Sequence, residues 1–295
     1  MRLTSKREAP FYGICTALVT PFRDGEIDYR ALDELVEGQI EGGISALCVL
    51  GTTGESVTLS DGERFRLIAH VLSRVRGRIK TVVGVGTPST ARSVEYAAYA
   101  WGQGADALLV SAPYYNKGTQ AGLVQHFHKI ADATDLPILL YNVPSRTGVD
   151  LTPRLLKEIS VHPRIAGIKE AGDSTERLAA IAAHFADTLA LYAGNDGAFP
   201  AVLAYGGVGC ISVVSNLLPA EWSEVWRLWQ AGKVGEARNA VLRLIPLIEL
   251  LFRETNPAPI KCALALTGQI AEELRLPLAP IEESLRKEIQ ARLGL

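Results

Sequence analysis

The chain has 295 residues, 48% of them hydrophobic, and a formal net charge of -2. This length can bury one large core or two ordinary ones. The near-neutral charge gives no electrostatic attraction for nucleic acid or for an anionic membrane, so we expect neither as a partner.

The same sequence predicts neither secretion nor membrane insertion. Residues 1–11 lack the apolar core of a signal peptide. The most apolar window, 241–252, is interrupted by Arg243, Pro246 and Glu249. The four cysteines stand singly in apolar runs without C-x-x-C spacing, which is typical of reduced packing residues. We therefore predict a cytoplasmic location.

Short runs rich in Val, Ile and Leu recur about every 30 residues, each followed by a longer amphipathic segment. Continuous apolar runs are typical of strands buried on both faces of a parallel sheet. Eight such units predict an α/β fold of the (β/α)8 barrel type, with an open doubly wound sheet as the alternative. The predicted strands are 14–20, 44–50, 79–85, 107–111, 137–143, a run ending at Lys169, 189–193 and 208–214. The predicted helices between them are 29–41, 63–75, 90–102, 123–133, 152–159 and 175–185.

Beyond residue 218 the sequence is helical and exceeds the single eighth helix that a minimal barrel needs. We predict a barrel over residues 1–218, and the last barrel helix with a C-terminal helical subdomain over 219–295. The predicted helices of this region are 221–230, 234–252, 260–266 and 281–293.

Lys169 stands at the end of the sixth apolar run. Active sites of (β/α)8 barrels lie at the carboxyl ends of the strands. A lysine is rarely buried without a partner, and burial favours the uncharged amine, which is a nucleophile for ketones. The alternative is a structural lysine neutralised by Glu170 or Asp173.

Other strand ends carry groups that suit a small oxo acid. The turn 51–56 could present backbone N–H groups to a carboxylate, although it could also be an ordinary turn. The Tyr141 phenol could approach the amine, and the Thr53 hydroxyl could link phenols in a proton relay. Arg146 has the forked geometry for a carboxylate, unless it is a surface arginine paired with an acid. The tyrosines at 114 and 115 are typical of packing or an interface.

Other chemistries have no matching motif. No histidine stands at the carboxyl end of a predicted strand, and no H-x-x-x-H pair or acidic cluster indicates a metal. There is no G-x-S-x-G elbow and no phosphate-binding loop, and the glycines at 206–209 precede a strand instead of following one. A metal-free amine mechanism remains.

Three segments together resemble the dihydrodipicolinate synthase and N-acetylneuraminate lyase family. They are Gly51-Thr52-Thr53-Gly54-Glu55, Tyr141-Asn142-Val143-Pro144 and Gly167-Ile168-Lys169-Glu170. The likeness runs from Thr20-Pro21-Phe22 to the segment 256–261, with matching order and spacing. It implies a (β/α)8 barrel with a C-terminal helical extension, a Schiff base between lysine and pyruvate, no cofactor, and a homotetramer built as a dimer of dimers.

The resemblance also implies roles for individual residues. Lys169 matches the imine-forming lysine, and Tyr141 matches the phenol that moves protons beside it. Thr52 and Thr53 match the pair that receives the pyruvate carboxylate, with Thr53 also in the relay. Tyr115 matches a tyrosine that reaches the neighbouring subunit's site. Two further positions match the lining of the pyruvate pocket, Gly194 and Ile211.

Arg146 separates the activities within the family. In the synthases the matching arginine receives the carboxylate of aspartate semialdehyde, whereas sugar-acid lyases generally have no arginine there. The resemblance therefore implies condensation of pyruvate with aspartate semialdehyde, in lysine and diaminopimelate biosynthesis. The alternatives are an aldolase or dehydratase acting on a sugar acid or a hydroxyproline-derived substrate, and a non-catalytic barrel that binds an oxo acid.

The family resemblance also bears on regulation. Members that lysine inhibits carry two histidines, an asparagine and a glutamate at four positions where this chain differs. The chain matches them only at Ser56 and Tyr114, so we predict weak or absent inhibition by lysine. The four differing positions are Asp61, Arg64, Pro88 and Arg92.

Overall fold

A computed structural model describes residues 7–172 and 174–295, so residues 1–6 and Asp173 lie outside the described part. Eight strands form a closed barrel in chain order, with the last strand beside the first. The predicted (β/α)8 barrel is therefore confirmed, and the open sheet is excluded. The barrel strands are β1 (Gly13–Ala17), β2 (Ala46–Val49), β3 (Lys80–Gly84), β4 (Ala107–Ser111), β5 (Ile138–Asn142), β6 (Ile165–Glu170), β7 (Ala190–Ala193) and β8 (Gly209–Ser212).

Twelve α-helices are present in the described residues, four of them after residue 218. The predicted C-terminal helical extension is thus confirmed. They are α1 (Tyr29–Glu41), α2 (Asp61–Val75), α3 (Thr90–Gly102), α4 (Gln120–Asp132), α5 (Pro144–Thr147), α6 (Pro153–Ile159), α7 (Thr175–Phe185), α8 (Phe199–Ala204), α9 (Pro219–Gln230), α10 (Val234–Phe252), α11 (Ala258–Leu266) and α12 (Glu283–Leu293).

Internal contacts group the chain differently from the predicted domains. One compact unit contains residues 7–12 and 80–211, and the other contains residues 13–79 and 212–295. In the second unit α9 packs on β1, and the last four helices pack on one another. The division at residue 218 stays a prediction.

The strands are as buried as the sequence pattern indicates, since every residue of β1, β2, β5, β6 and β8 is buried. Helix starts follow capping chemistry, in which a side-chain oxygen accepts a hydrogen bond from an N–H of the first turn. This explains why α4 begins at Gln120 and not at residue 123, since Thr119 caps it. The side chains that cap helices in this way are Asp28, Ser60, Ser89, Thr119, Thr152 and Ser174.

Several short elements were not predicted. The two-residue strands Phe22–Arg23 and Glu26–Ile27 form an antiparallel pair, and α5 and α8 are short helices after barrel strands. β6 also continues one residue beyond Lys169, so the prediction that the strand ends at Lys169 was wrong by one position. Such elements are too short for a periodic signal.

All four cysteines are buried, and within the described part of the chain none forms a disulfide. Among the same residues, no helix is long and apolar enough to cross a membrane.

His126 on α4 is 5% exposed, and its Nδ1 lies 2.9 Å from the Thr90 hydroxyl. Burial lowers the pKa of this imidazole from its ordinary 6.5 to about 4. The unfolded chain takes up this proton at a higher pH than the folded chain does. The free energy of unfolding therefore has its full value above about pH 6.5 and falls as the pH drops towards 4. We expect His126→Gln to remove up to about 3 kcal/mol of this pH dependence. Urea unfolding at pH 7.5 and 4.5 measures it.

His184→Gln is the matched control, because His184 lies exposed on α7. Its unfolding should keep the pH dependence of the wild type. An unchanged pH dependence in His126→Gln would contradict the prediction.

Candidate active site

Lys169 lies on β6 beside Tyr141 of β5, with which it is in register. Its Nζ is 4.2 Å from the centroid of the Tyr141 ring. The two residues are 5% and 7% exposed, so the amine is buried against an aromatic face. Among the described residues no carboxylate forms an ion pair with Lys169. A lysine in this setting can act as a nucleophile when it loses its proton.

Glu170 does not neutralise Lys169. Consecutive strand residues point to opposite faces, which directs the Glu170 side chain away from the amine. Its carboxylate accepts from Arg177 Nε at 2.6 Å, from Asn142 Nδ2 at 2.9 Å and from the Gly172 N–H at 2.8 Å. Asp173, the other sequence-based candidate for pairing with Lys169, lies outside the described residues.

Asn142, Asp150, Leu151, Glu170, Gly172 and Arg177 form what we call the Glu170 network. In it Arg177 reaches Asp150 Oδ1 at 3.1 Å and donates to the Leu151 carbonyl at 2.6 Å. Asn142 donates to Asp150 at 3.0 Å and accepts from the Leu151 N–H at 2.9 Å. The network joins the ends of β5 and β6 to the segment after α5, and it holds them on the face opposite Tyr141 and Lys169.

Arg146 lies exposed on the short helix α5. Pro144 occupies the first turn of this helix, where its missing N–H costs nothing. Gly148 ends the helix with φ at 66°, and the Thr147 hydroxyl donates to the Val149 carbonyl at 2.9 Å. The guanidinium is thus carried on an ordered turn directly after β5.

Two predicted pocket residues occupy close-packed positions. Gly194 follows β7, and its N–H donates to the Glu170 carbonyl at 2.7 Å. A Cβ at Gly194 would stand 2.7 Å from the Ala171 Cβ, so the close approach requires glycine. Ile211 on β8 is fully buried.

Tyr115 lies almost entirely in solvent. It is 95% exposed, on the loop after β4, and has a φ of 66°. A large side chain in the left-handed region and in solvent contributes nothing to the core of its own chain.

The Thr-Thr loop, residues 51–56, follows β2. The Gly54 N–H donates to the Gly51 carbonyl and the Glu55 N–H to the Thr52 carbonyl, both at 3.1 Å. Within the described residues the N–H groups of Thr52 and Thr53 have no intramolecular acceptor. Two adjacent unbonded N–H groups suit a carboxylate ligand.

Side chains from the C-terminal segment support the Thr-Thr loop. Asn256 Nδ2 donates to Thr53 Oγ1 at 2.9 Å, and Lys261 Nζ donates to Glu55 Oε1 at 2.6 Å. Lys261 and Glu55 have no exposed side-chain surface. Burial lowers the pKa of Lys261, opposed by the adjacent Glu55 carboxylate. The predicted C-terminal helix 260–266 correctly includes Lys261. The sequence gave no signal for its contact with Glu55 or for the contact of Asn256 with Thr53.

No set of three or more His, Cys, Asp or Glu side chains in the described residues is arranged to hold a metal ion. On β5, β6 and the short helix after β5, the described residues supply an amine, a phenol and an arginine.

Comparison with known proteins identifies the family. Residues 10–294 match the model of the Dihydrodipicolinate synthetase family. The chain is 44% identical over 279 residues to a 4-hydroxy-tetrahydrodipicolinate synthase from Alkaliphilus oremlandii, covering 95% of this chain and 96% of the relative.

Solved structures similar to this chain are named as the same kind of enzyme. The 4-hydroxy-tetrahydrodipicolinate synthase of Methylacidiphilum fumariolicum SolV superposes with a TM-score of 0.94 at 42% identity, over 96% of this chain and 95% of that one. The dihydrodipicolinate synthase of Acinetobacter baumannii, solved in complex with pyruvate, gives 0.93 at 38% identity over 96% and 98%. This chain belongs to the Dihydrodipicolinate synthetase family.

Proposed function

We propose that the chain condenses pyruvate with L-aspartate 4-semialdehyde to 4-hydroxy-tetrahydrodipicolinate through a Schiff base on Lys169. The observation that carries this proposal is the buried Lys169 amine against the Tyr141 ring, with no ion pair to a carboxylate of the described residues. The relatives named as synthases support the same reaction, a lyase step of lysine and diaminopimelate biosynthesis.

The first half of the reaction forms a nucleophile from pyruvate. The uncharged Lys169 amine attacks the keto carbon, and water leaves to give the imine. Loss of a methyl proton then gives an enamine. Thr52 and Thr53 bind the pyruvate carboxylate, an assignment that their unbonded N–H groups support. Gly194 and Ile211 line the pyruvate pocket.

The second half joins the two substrates. The enamine carbon attacks the aldehyde, the substrate amine displaces Lys169, and the ring closes. Tyr141, Thr53 and Tyr115 carry protons between these steps. Arg146, on the helix that directly follows β5, binds the carboxylate of the semialdehyde through its forked guanidinium.

A coupled assay tests the proposal. The purified chain receives pyruvate with aspartate semialdehyde in one arm, and sialic or keto-deoxy sugar acids in the other. We expect turnover only in the first arm. Cleavage of a sugar acid without condensation would favour the aldolase alternative, and binding of pyruvate without turnover in either arm would favour a sensor.

We further propose a homotetramer built as a dimer of dimers, located in the cytoplasm. The exposed phenol of Tyr115 supports an assembly in which it reaches a neighbouring subunit's site. Sedimentation velocity tests the subunit count.

Lysine is expected to inhibit weakly or not at all. Arg64 is 5% exposed and donates to the Ser56 carbonyl at 2.5 Å, and Arg92 contacts Glu95 at 3.0 Å. At these two positions, and at Asp61 and Pro88, the chain lacks the side chains that lysine-inhibited members carry. Turnover measured against increasing lysine checks this, and an inhibition constant well below millimolar would contradict it. Arginine ethyl ester, a cation of similar size, is the control for ionic effects.

A further inference from the structure

The Thr53 hydroxyl oxygen accepts one hydrogen bond from a fixed donor, the Asn256 side chain. Thr53 is 2% exposed and Asn256 is 6% exposed, so water does not replace their contact. Asn256 Nδ2 lies 2.9 Å from Thr53 Oγ1, and an amide nitrogen can only donate. The Thr53 oxygen therefore accepts from Asn256, and its own proton is directed to a different acceptor.

With this contact made, the Thr53 hydroxyl can still donate one hydrogen bond and accept another, as a member of a proton relay must. A hydroxyl has one proton to donate and two lone pairs to accept with. Asn256 uses one lone pair, so one donor and one lone pair remain. An acceptor at position 256 would instead take the proton and remove Thr53 from a relay.

The same C-terminal segment holds the Thr-Thr loop at a second point. Lys261 Nζ donates to Glu55 at 2.6 Å and to the Thr20 carbonyl at 2.9 Å. Glu55 also accepts from the Arg275 N–H at 3.2 Å. A fully buried ion pair with these additional hydrogen bonds fixes geometry even where it adds little stability.

The backbone on either side of Thr53 is strained. Leu50 and Glu55 have φ of 60° and 51°, a region that non-glycine residues adopt only when their surroundings impose it. The contacts from Asn256 and Lys261 are such surroundings. The position of the Thr53 hydroxyl thus depends on residues about 200 positions later in the chain.

We propose that Asn256 is a positioning residue that sets the direction of the Thr53 hydroxyl for proton transfer, an inference that rests on the proposed function. It acts by donating to Thr53 Oγ1, which keeps the Thr53 proton available to the relay.

The test compares Asn256→Asp with Asn256→Ala. Asp has the same shape but only accepts when ionised, so it takes the Thr53 proton. We expect kcat to fall about 100-fold in Asn256→Asp and about 10-fold in Asn256→Ala, with KM for pyruvate changed less than about 3-fold in both. Lower pH protonates the new carboxyl group, which can then donate. The kcat of Asn256→Asp relative to the wild type should therefore rise as pH falls.

Asn239→Asp is the matched control, because it makes the same charge change at an exposed site on α10. It should keep the kcat and pH profile of the wild type. If Asn256→Asp does not fold, Asn256→Ala alone tests the inference. Its kcat should then be lower, and its solvent isotope effect larger, than those of the wild type.

Two results would overturn the inference while the proposed function stands. One is a wild-type kcat in Asn256→Asp or, if that variant does not fold, in Asn256→Ala. The other is a larger loss in Asn256→Ala than in Asn256→Asp, which would indicate structural support without a role for hydrogen-bond direction. A wild-type chain that neither traps pyruvate on Lys169 nor turns over would instead reject the proposed function, and this inference with it.

Discussion

Lys169→Arg is expected to abolish condensation, with kcat lowered at least about 1,000-fold. Arginine is also a long basic side chain and fills much of the same volume beside Tyr141. Its guanidinium does not lose a proton in proteins, so it cannot form an imine. Steady-state turnover in the coupled assay measures the loss, and thermal unfolding shows whether the variant is folded.

Lys80→Arg makes the same chemical change at the start of β3. Lys80 is exposed there and pairs with Asp106 at 2.8 Å, an interaction that arginine can also make. This control should turn over like the wild type. Wild-type turnover in Lys169→Arg would remove the basis for a Schiff-base mechanism.

Arg146→Ala is expected to lower kcat/KM for aspartate semialdehyde by about 100- to 1,000-fold, while the pyruvate imine still forms. A charge-assisted pair with the semialdehyde carboxylate is lost, whereas the first half-reaction involves a different carboxylate. Turnover of the semialdehyde and borohydride trapping of pyruvate, measured on the same preparation, separate the two effects.

Arg154→Ala is the control, since Arg154 is an exposed arginine on the next helix, α6, and pairs only loosely with Glu158 at 3.8 Å. It should leave both readouts unchanged. Equal losses of trapping and turnover in Arg146→Ala would show that Arg146 serves the pyruvate step or the fold, and not the choice of second substrate.

The barrel could be predicted because each strand is a continuous apolar run and each long helix is amphipathic. β4 was predicted at its observed bounds, and so were α1, α3 and α7. The positions of Lys169 and Tyr141 near the carboxyl ends of their strands could also be predicted, because each follows an apolar run. The structure adds that the two residues are in register.

The supporting contacts could not be predicted, for a physical reason. Asn256 and Thr53 are 203 positions apart in the sequence, and Glu170 and Asn142 are 28 positions apart. No period or spacing in the sequence encodes such pairs, since they exist only after the barrel closes. Arg177 gave no signal either, because one arginine on an amphipathic helix is typical of an exposed face.

Borohydride reduction in the presence of pyruvate tests the central claim most directly. Peptide mass mapping of the wild-type chain should find one pyruvate-derived adduct, on Lys169, and none when pyruvate is omitted. Lys261, which is also buried but is paired with Glu55 at 2.6 Å, should remain unmodified. No adduct, or an adduct on another lysine with Lys169 intact, would contradict the account.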